Sequence, residues 1–230
     1  MSRVLVLDLD GTLAETAPDL IGALNHVLAG DDIAPVPVAA ARSLLGAGGR
    51  ALIERGYARA GRELTKGRLD ALFADFLDHY NAHIADHSTL FPGVRESLAR
   101  FRDDGWKLAV CTNKMEHSSL LLLEKLGVRD AFAFICGQDT FGVAKPDPRP
   151  LVETVARAGG LVAASVMVGD SVTDIRTARA AGMPVVAVDF GYTDVPVSEL
   201  GPDRVISHFD ALHEAVLSLT AGARGAGPGD

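Results

Sequence analysis

Short apolar runs rich in β-branched residues punctuate the chain at Val4 to Leu7, Lys107 to Cys111, Phe132 to Cys136, Val166 to Val168 and Val185 to Val188. Each is followed by small or polar residues and then, mostly, by apolar positions at helical spacing. That alternation predicts parallel strands buried on both faces by crossover helices. Spacings of about 20 to 30 residues suit βαβ units. Pro92 and Gly93 open a helix that runs through Phe101, with Val94, Leu98 and Phe101 at i, i+4 and i+7, and Gly105 closes it. Glu116 to Leu126 and Leu151 to Ala158 read likewise as crossover helices.

One interval breaks this rhythm. From about residue 15 to residue 88 only helix-period segments occur: Pro18 to Leu28, Ala39 to Leu45, Ala51 to Ala60 and Leu69 to Ala85. The predicted fold class is therefore α/β, a Rossmann-like parallel-sheet core with an all-helical cap inserted after its first strand. Residues 1–14 and 89–220 are assigned to the core, 15–88 to the cap, and the Gly-, Ala- and Pro-containing stretch 221–230 to a flexible tail. This division explains the length of 230 residues. At roughly 150 residues per domain that length amounts to about one and a half domains.

Composition narrows the class of partner. With 48% hydrophobic and 23% charged residues the chain is neither disordered nor fibrous. Asp and Glu outnumber Lys and Arg by 30 to 22, for a net charge of −8, which argues against nucleic acid or anionic membrane as partner and leaves room for a local basic site. The first apolar run is interrupted by Asp8 and Asp10, too soon for a signal peptide, and no stretch approaches the roughly 18 apolar residues that span a bilayer. Cys111 and Cys136 are too few and too far apart for a zinc cluster or disulfide framework, and read as reduced thiols. The expectation is a cytoplasmic protein, monomeric or homodimeric, acting on a small metabolite.

The candidate chemistry lies at strand ends. Asp8 and Asp10 are two apart, so they project together from the carboxyl edge where open α/β sheets bind ligands, and Gly11 lets the chain turn away. The second strand ends in Thr112, Asn113 and Lys114, which bring a hydroxyl, an amide and backbone N–H groups to the same edge. Lys145 sits in Ala144-Lys145-Pro146-Asp147-Pro148, a segment held non-helical by its prolines. The fourth strand ends in Gly169-Asp170-Ser171-Val172-Thr173-Asp174, where acids at i and i+4 share one face if a helix begins there. Taken singly, each has a bland reading: exposed acids, a helix start, a solvated lysine, an Asp170 helix cap.

Together and in this order, these motifs resemble those of the haloacid dehalogenase superfamily, and the strings "DLDGTLAETAPDL", "LFPGV", "CTNK", "AKPDP" and "VGDSVTDIRTARAAGMPVVAV" look like its phosphoglycolate phosphatase branch. The resemblance runs to about residue 215 and includes a helical cap. It implies a Mg²⁺-dependent phosphomonoesterase acting on 2-phosphoglycolate, with Asp8 as nucleophile forming an aspartyl-phosphate. Asp10 would protonate the leaving alkoxide and later deprotonate water, its carboxyl kept protonated by neighbouring carboxylates. Asp8, Asp170 and the backbone carbonyl of Asp10 would hold Mg²⁺, with Asp174 bound through water or anchoring the site. Thr112 and the Asn113 amide would hold the phosphoryl oxygens while Lys145 screens the charge.

Other signals are weaker. Gly46-Ala47-Gly48-Gly49-Arg50-Ala51 matches a dinucleotide fingerprint literally but follows a helix, so the loop lacks its strand. Similar phosphatases present such a turn to the active site, making Gly48 and Arg50 candidates for substrate contact. His79, His83 and His87 recur every fourth residue and read as a solvated stripe, and the cysteines as core. Within the superfamily the alternatives are a phosphosugar mutase or phosphatase, or a pyrophosphatase. A non-catalytic phosphometabolite-binding protein is the alternative of another class.

Overall fold

The computed structural model describes residues 2–193 and 195–220, so the tail assigned to 221–230 lies outside the described residues. Six parallel strands form one sheet: β1 (Val4–Leu7), β4 (Lys107–Cys111), β5 (Phe134–Cys136), β6 (Val166–Gly169), β7 (Val185–Val188) and β8 (Arg204–Ile206), in the order β5-β4-β1-β6-β7-β8. Helices α4 (Val94–Asp103), α5 (Glu116–Lys125), α6 (Arg149–Arg157), α7 (Val172–Ala180) and α8 (Leu212–Thr220) flank it.

The period of two decides which layer each residue joins. Leu5 and Leu7 of β1 enter one hydrophobic core with Leu98 and Phe101 of α4, Leu122 of α5 and Val216 of α8. Val4 and Val6 enter the other with Leu151 and Val155 of α6 and Ile175 and Ala178 of α7. All four β1 residues are buried, as a central parallel strand requires. The predicted α4 buries Val94, Leu98 and Phe101, and Gly93 and Gly105, both at positive φ, flank it.

Between β1 and α4 the chain builds three mutually packed helices, α1 (Ala17–Ala29), α2 (Gly49–Arg59) and α3 (Lys66–Ala82). The segment predicted helical at Ala39 to Leu45 is instead a 3-10 turn over Val38–Ser43. Two strands that the periodicity did not predict, β2 (Ala14–Glu15) and β3 (Thr89–Leu90), pair antiparallel at the base of this insertion and join its two legs. Buried Asp19 in the first turn of α1 reinforces the junction by accepting from the N–H groups of His87 and Ser88 and from the Ser88 hydroxyl. Among the described residues no helix is long and apolar enough to cross a membrane.

Tight packing at the carboxyl edge is testable with a single methyl group. A Cβ at Gly169, the last residue of β6, would lie 2.4 Å from Cβ and Cγ of Asp174. Gly169→Ala is therefore expected to destabilise the protein by about 1–3 kcal/mol. The same methyl at Gly22, inside α1 with nothing within 4 Å, should stabilise it by about 0.5–1 kcal/mol. Urea unfolding of both variants checks the pair, and equal effects would show that the edge is not close-packed.

Candidate active site

The register levels the strand ends. Leu7 pairs with Val110 on one side and Val168 on the other, so Asp8, Thr112 and Asp170 emerge beside one another where β1 meets its two neighbours. Such a crevice, from which successive connections lead to opposite sides of the sheet, is where ligands bind in open α/β folds. Asp8, Asp10, Thr112, Asn113 and Lys145 all line one cavity there, together with Gly46, Gly48, Leu52, Phe73, Phe76 and Tyr80 from the insertion.

Charge is concentrated in this crevice. Lys145 Nζ lies 2.9 Å from Asp8 Oδ1 and 2.5 Å from Asp174 Oδ1, and all three side chains are buried. Burial alone would lower the lysine pKa, but Asp174 and Asp8 outweigh it and raise it. Burial raises the Asp8 pKa to about 6, with Lys145 opposing and Asp174 adding to the rise. Asp170 is raised well above the usual carboxylate range by burial and by the charges of Asp174 and Asp8. Asp10 is bracketed by Lys114, 2.9 Å from both its oxygens, and by the Thr16 hydroxyl at 2.7 Å.

Each acid is positioned by specific neighbours. Asp170 accepts from the Tyr192 N–H at 2.6 Å and the Thr12 hydroxyl at 3.0 Å. Gly11 and Gly191 leave the room it occupies: a Cβ at either would come within 2.5 Å of the Asp170 side chain. Asp170 does not cap the following helix. Ser171 is the N-cap and Asp174 its partner in a capping box, where Asp174 Oδ2 accepts from the Ser171 N–H and hydroxyl. Both Asp174 oxygens are therefore engaged. The Asn113 side chain brackets the backbone of Lys145, accepting from its N–H and donating to its carbonyl.

The donor set fits a hard cation. Asp8, Asp170 and Asp174 each offer a carboxylate oxygen within 4.8 Å of the others, the group of potential ligands found among the described residues. Asp8 Oδ1, although close to Lys145, has no aligned hydrogen bond and is a buried acceptor without a partner. An all-oxygen cluster with spare lone pairs suits a hard divalent ion rather than a thiophilic one.

The tentative substrate contacts divide. Gly48 lines the cavity, and a Cβ there would approach the Asn113 carbonyl to 3.1 Å. Arg50 does not line it: its guanidinium is half-exposed, 2.5 Å from Asp70 and stacked over Phe73. The histidines form a row of rings rather than a ligand set: His79 stacks on His26 and packs against His83, with centroids 4.1 and 4.7 Å apart, and His83 pairs with Asp86. Cys111 and Cys136 are unpaired and buried, as expected of core residues. Lys114, Thr12, Thr16, Tyr80 and Tyr192 were not singled out from the sequence. Lys114 had a signal in its place directly after Thr112 and Asn113.

Comparison with known proteins agrees with this geometry. The family model described as haloacid dehalogenase-like hydrolase matches residues 5–188. The chain belongs to that family. It is 55% identical over 213 residues to a phosphoglycolate phosphatase of Mesorhizobium japonicum, covering 92% of this chain and 94% of that one. A phosphoglycolate phosphatase of Agrobacterium fabrum is 45% identical, with coverage of 94% and 93%. Among solved structures, one described as a predicted phosphoglycolate phosphatase from Haemophilus somnus superposes with a TM-score of 0.86 at 28% identity, covering 93% and 97% of the two chains. The protein is thus a phosphatase with the expected α/β fold, and its buried acidic triad has a donor set able to hold a metal ion.

The raised pKa of Asp170 has a stability consequence whose sign is fixed. In the native state Asp170 holds its proton above the pH at which the unfolded chain loses it, so ionisation destabilises the cation-free fold as pH rises. In EDTA at pH 7.5, Asp170→Asn should raise Tm by a few degrees. Near pH 3, where both states of the wild type are protonated, the gain should largely vanish. Thermal unfolding at the two pH values decides the point, and an unchanged or lower Tm at pH 7.5 would contradict the charge-crowding account.

Proposed function

We propose that the protein is a Mg²⁺-dependent phosphomonoesterase that hydrolyses 2-phosphoglycolate to glycolate and phosphate, with residues 15–88 acting as a cap on a core of residues 1–14 and 89–220. One observation carries this reading. Asp8, Asp10, Thr112 and Lys145 converge on a cavity whose opposite wall, supplied by the insertion, is almost wholly apolar. Leu20, Leu45, Leu52, Phe73, Phe76 and Leu77 line that wall, and among the described residues Tyr80 is its sole polar side chain. A phosphosugar would bury several hydroxyls against it without partners, a cost that a two-carbon acid avoids. The names of the relatives at 55% and 45% identity point the same way.

The chemistry follows from the placements. Asp8 attacks phosphorus, and Lys145, 2.9 Å from its Oδ1, stabilises the charge on the nucleophile and transferring group. The bond from phosphorus to the glycolate oxygen breaks as the aspartyl-phosphate forms, and water then cleaves that intermediate. Asp10 gives a proton to the departing oxygen and takes one from the water. Thr112 and the Asn113 amide hold the phosphoryl oxygens. Asp8, Asp170 and the Asp10 carbonyl are the proposed Mg²⁺ ligands, while Asp174, committed to Lys145 and Ser171, anchors them. When bound, the cation offsets the negative charge that the acids and the phosphate bring together. A cytoplasmic location accords with the two unpaired cysteines.

Phosphate release from 2-phosphoglycolate is the direct test. The rate should depend on added Mg²⁺, disappear in EDTA, and exceed the rates on glucose 6-phosphate and pyrophosphate by at least about 100-fold, the scale on which well-placed polar contacts discriminate. Asp8→Asn should lower kcat by more than about 10³-fold with Tm unchanged or higher, because a covalent route is lost. Equal rates on all three substrates would refute the substrate, and an active Asp8→Asn enzyme would refute the nucleophile.

A further inference from the structure

We propose that Lys114 and Tyr80 together form the subsite for the substrate's second anionic group, a carboxylate carried on the carbon next to the ester oxygen. This rests on the phosphatase reading above and assigns the residues that choose the substrate. The cationic side chains lining the cavity, among the described residues, are Lys145 and Lys114. Lys145 is committed to Asp8 and Asp174 in the heart of the acidic cluster. Any further negative charge on a ligand is left to Lys114.

Lys114 is placed for that task. Its ammonium is buried, holds Asp10 through both carboxylate oxygens at 2.9 Å, and lies 4.5 Å from the centroid of the Tyr80 ring. Asp10 must reach the ester oxygen to protonate it. A cation in direct contact with Asp10 is therefore only a few ångströms from that oxygen, within range of a substituent one carbon further on. In 2-phosphoglycolate the order of groups is phosphoryl, ester oxygen, methylene, carboxylate. The ammonium carries three hydrogens, enough to serve Asp10 and a second carboxylate together.

Tyr80 supplies the independent sign of a ligand. It is 1% exposed, it lines the cavity, and its hydroxyl has no hydrogen-bond partner. A buried hydroxyl left unsatisfied beside a ligand cavity calls for an acceptor that arrives with the ligand. Burial raises its pKa to about 12 although Lys114 acts in the opposite sense, so at neutral pH it donates. A carboxylate accepting from both Lys114 and Tyr80 is matched in charge and in donor number. Among the described residues, the rest of the wall that the insertion supplies carries no polar side chain for a larger alcohol to bond.

Binding of two phosphonates in saturating Mg²⁺ tests this without turnover. 3-Phosphonopropionate copies 2-phosphoglycolate with a methylene in place of the ester oxygen, and propylphosphonate lacks its carboxylate. Calorimetry should show the wild type binding the first at least about 100-fold more tightly, as for a charge-assisted pair of hydrogen bonds. Tyr80→Phe, which removes a hydroxyl with no intramolecular partner and so leaves the fold intact, should cut that ratio about tenfold. Lys114→Met should reduce it to within threefold of unity. A wild type with no preference, or a Tyr80→Phe ratio equal to that of wild type, overturns the proposal, as does a folded Lys114→Met that keeps the preference. Turnover of 2-phosphoglycolate is scored separately. Preferential carboxylate binding without phosphate release would refute the phosphatase reading and leave this subsite standing.

Discussion

An excess of buried negative charge is the constraint on which this structure turns. Asp8, Asp170 and Asp174 are packed within reach of one another, and Lys145 touches two of them, so the site holds more anion than cation. Such a cluster cannot assemble by mutual attraction, and side chains left to themselves would swing towards water. The backbone must impose it. Parallel register sets β1 and β6 level, Gly11, Gly169 and Gly191 remove the atoms that would keep the acids apart, and the Ser171–Asp174 capping box fixes the last acid to its helix. The apolar layers on both faces of the sheet pay the cost. The reward is a site with a strong standing affinity for positive charge.

The insertion is tied to this cluster through a helix that gives up its own cap. Thr16 occupies the N-cap position of α1, yet its hydroxyl makes no capping bond because it bonds Asp10. The orphan N–H groups of Thr16 and Ala17 are met instead by the Tyr192 hydroxyl, which donates in turn to Glu15. The backbone N–H of the same Tyr192 holds Asp170. Tyr192, in the segment that follows β7, thus joins the first turn of the insertion to a proposed metal ligand. A local rule is broken at α1 because the threonine serves the site, and the compensation comes from 176 residues away.

What could be read in the sequence follows the same physics. Buried strands announce themselves as apolar runs, so β1, β4, β5, β6 and β7 were visible, as were the acids and the lysine that follow them. The edge strand β8 was not, since Arg204 and Val205 are exposed and the segment has no apolar run to notice. β2 and β3 are two residues each and exist only because the chain returns to its point of departure. The 3-10 turn at Val38–Ser43 carries a helical pattern over too few residues to complete an α-helix. Within the site, Asp8, Thr112, Lys145 and Asp170 could be placed from strand ends alone. Lys114 stands at the same strand end, but its burial could not be read there, because a lysine at the start of a helix is ordinarily solvated and only the insertion's Tyr80, distant in sequence, reveals that this one is covered.

That cover also explains why chemistry and selection are inseparable here. Lys114 is buried and Asp10 partly buried where the loop after β4 meets α3, so the strength of their attraction depends on the low dielectric that the seated insertion provides. Were α1 to α3 to lift away, water would reach both groups and weaken their hold on each other and on any anion between them. A ligand that fills the apolar wall keeps water out, and one that also carries a charge for Lys114 gains from the dryness it creates. Phe73, Phe76 and Tyr80, stacked along one face of α3, therefore bear on the site without touching phosphorus: they set the medium around Asp10, the proposed proton donor.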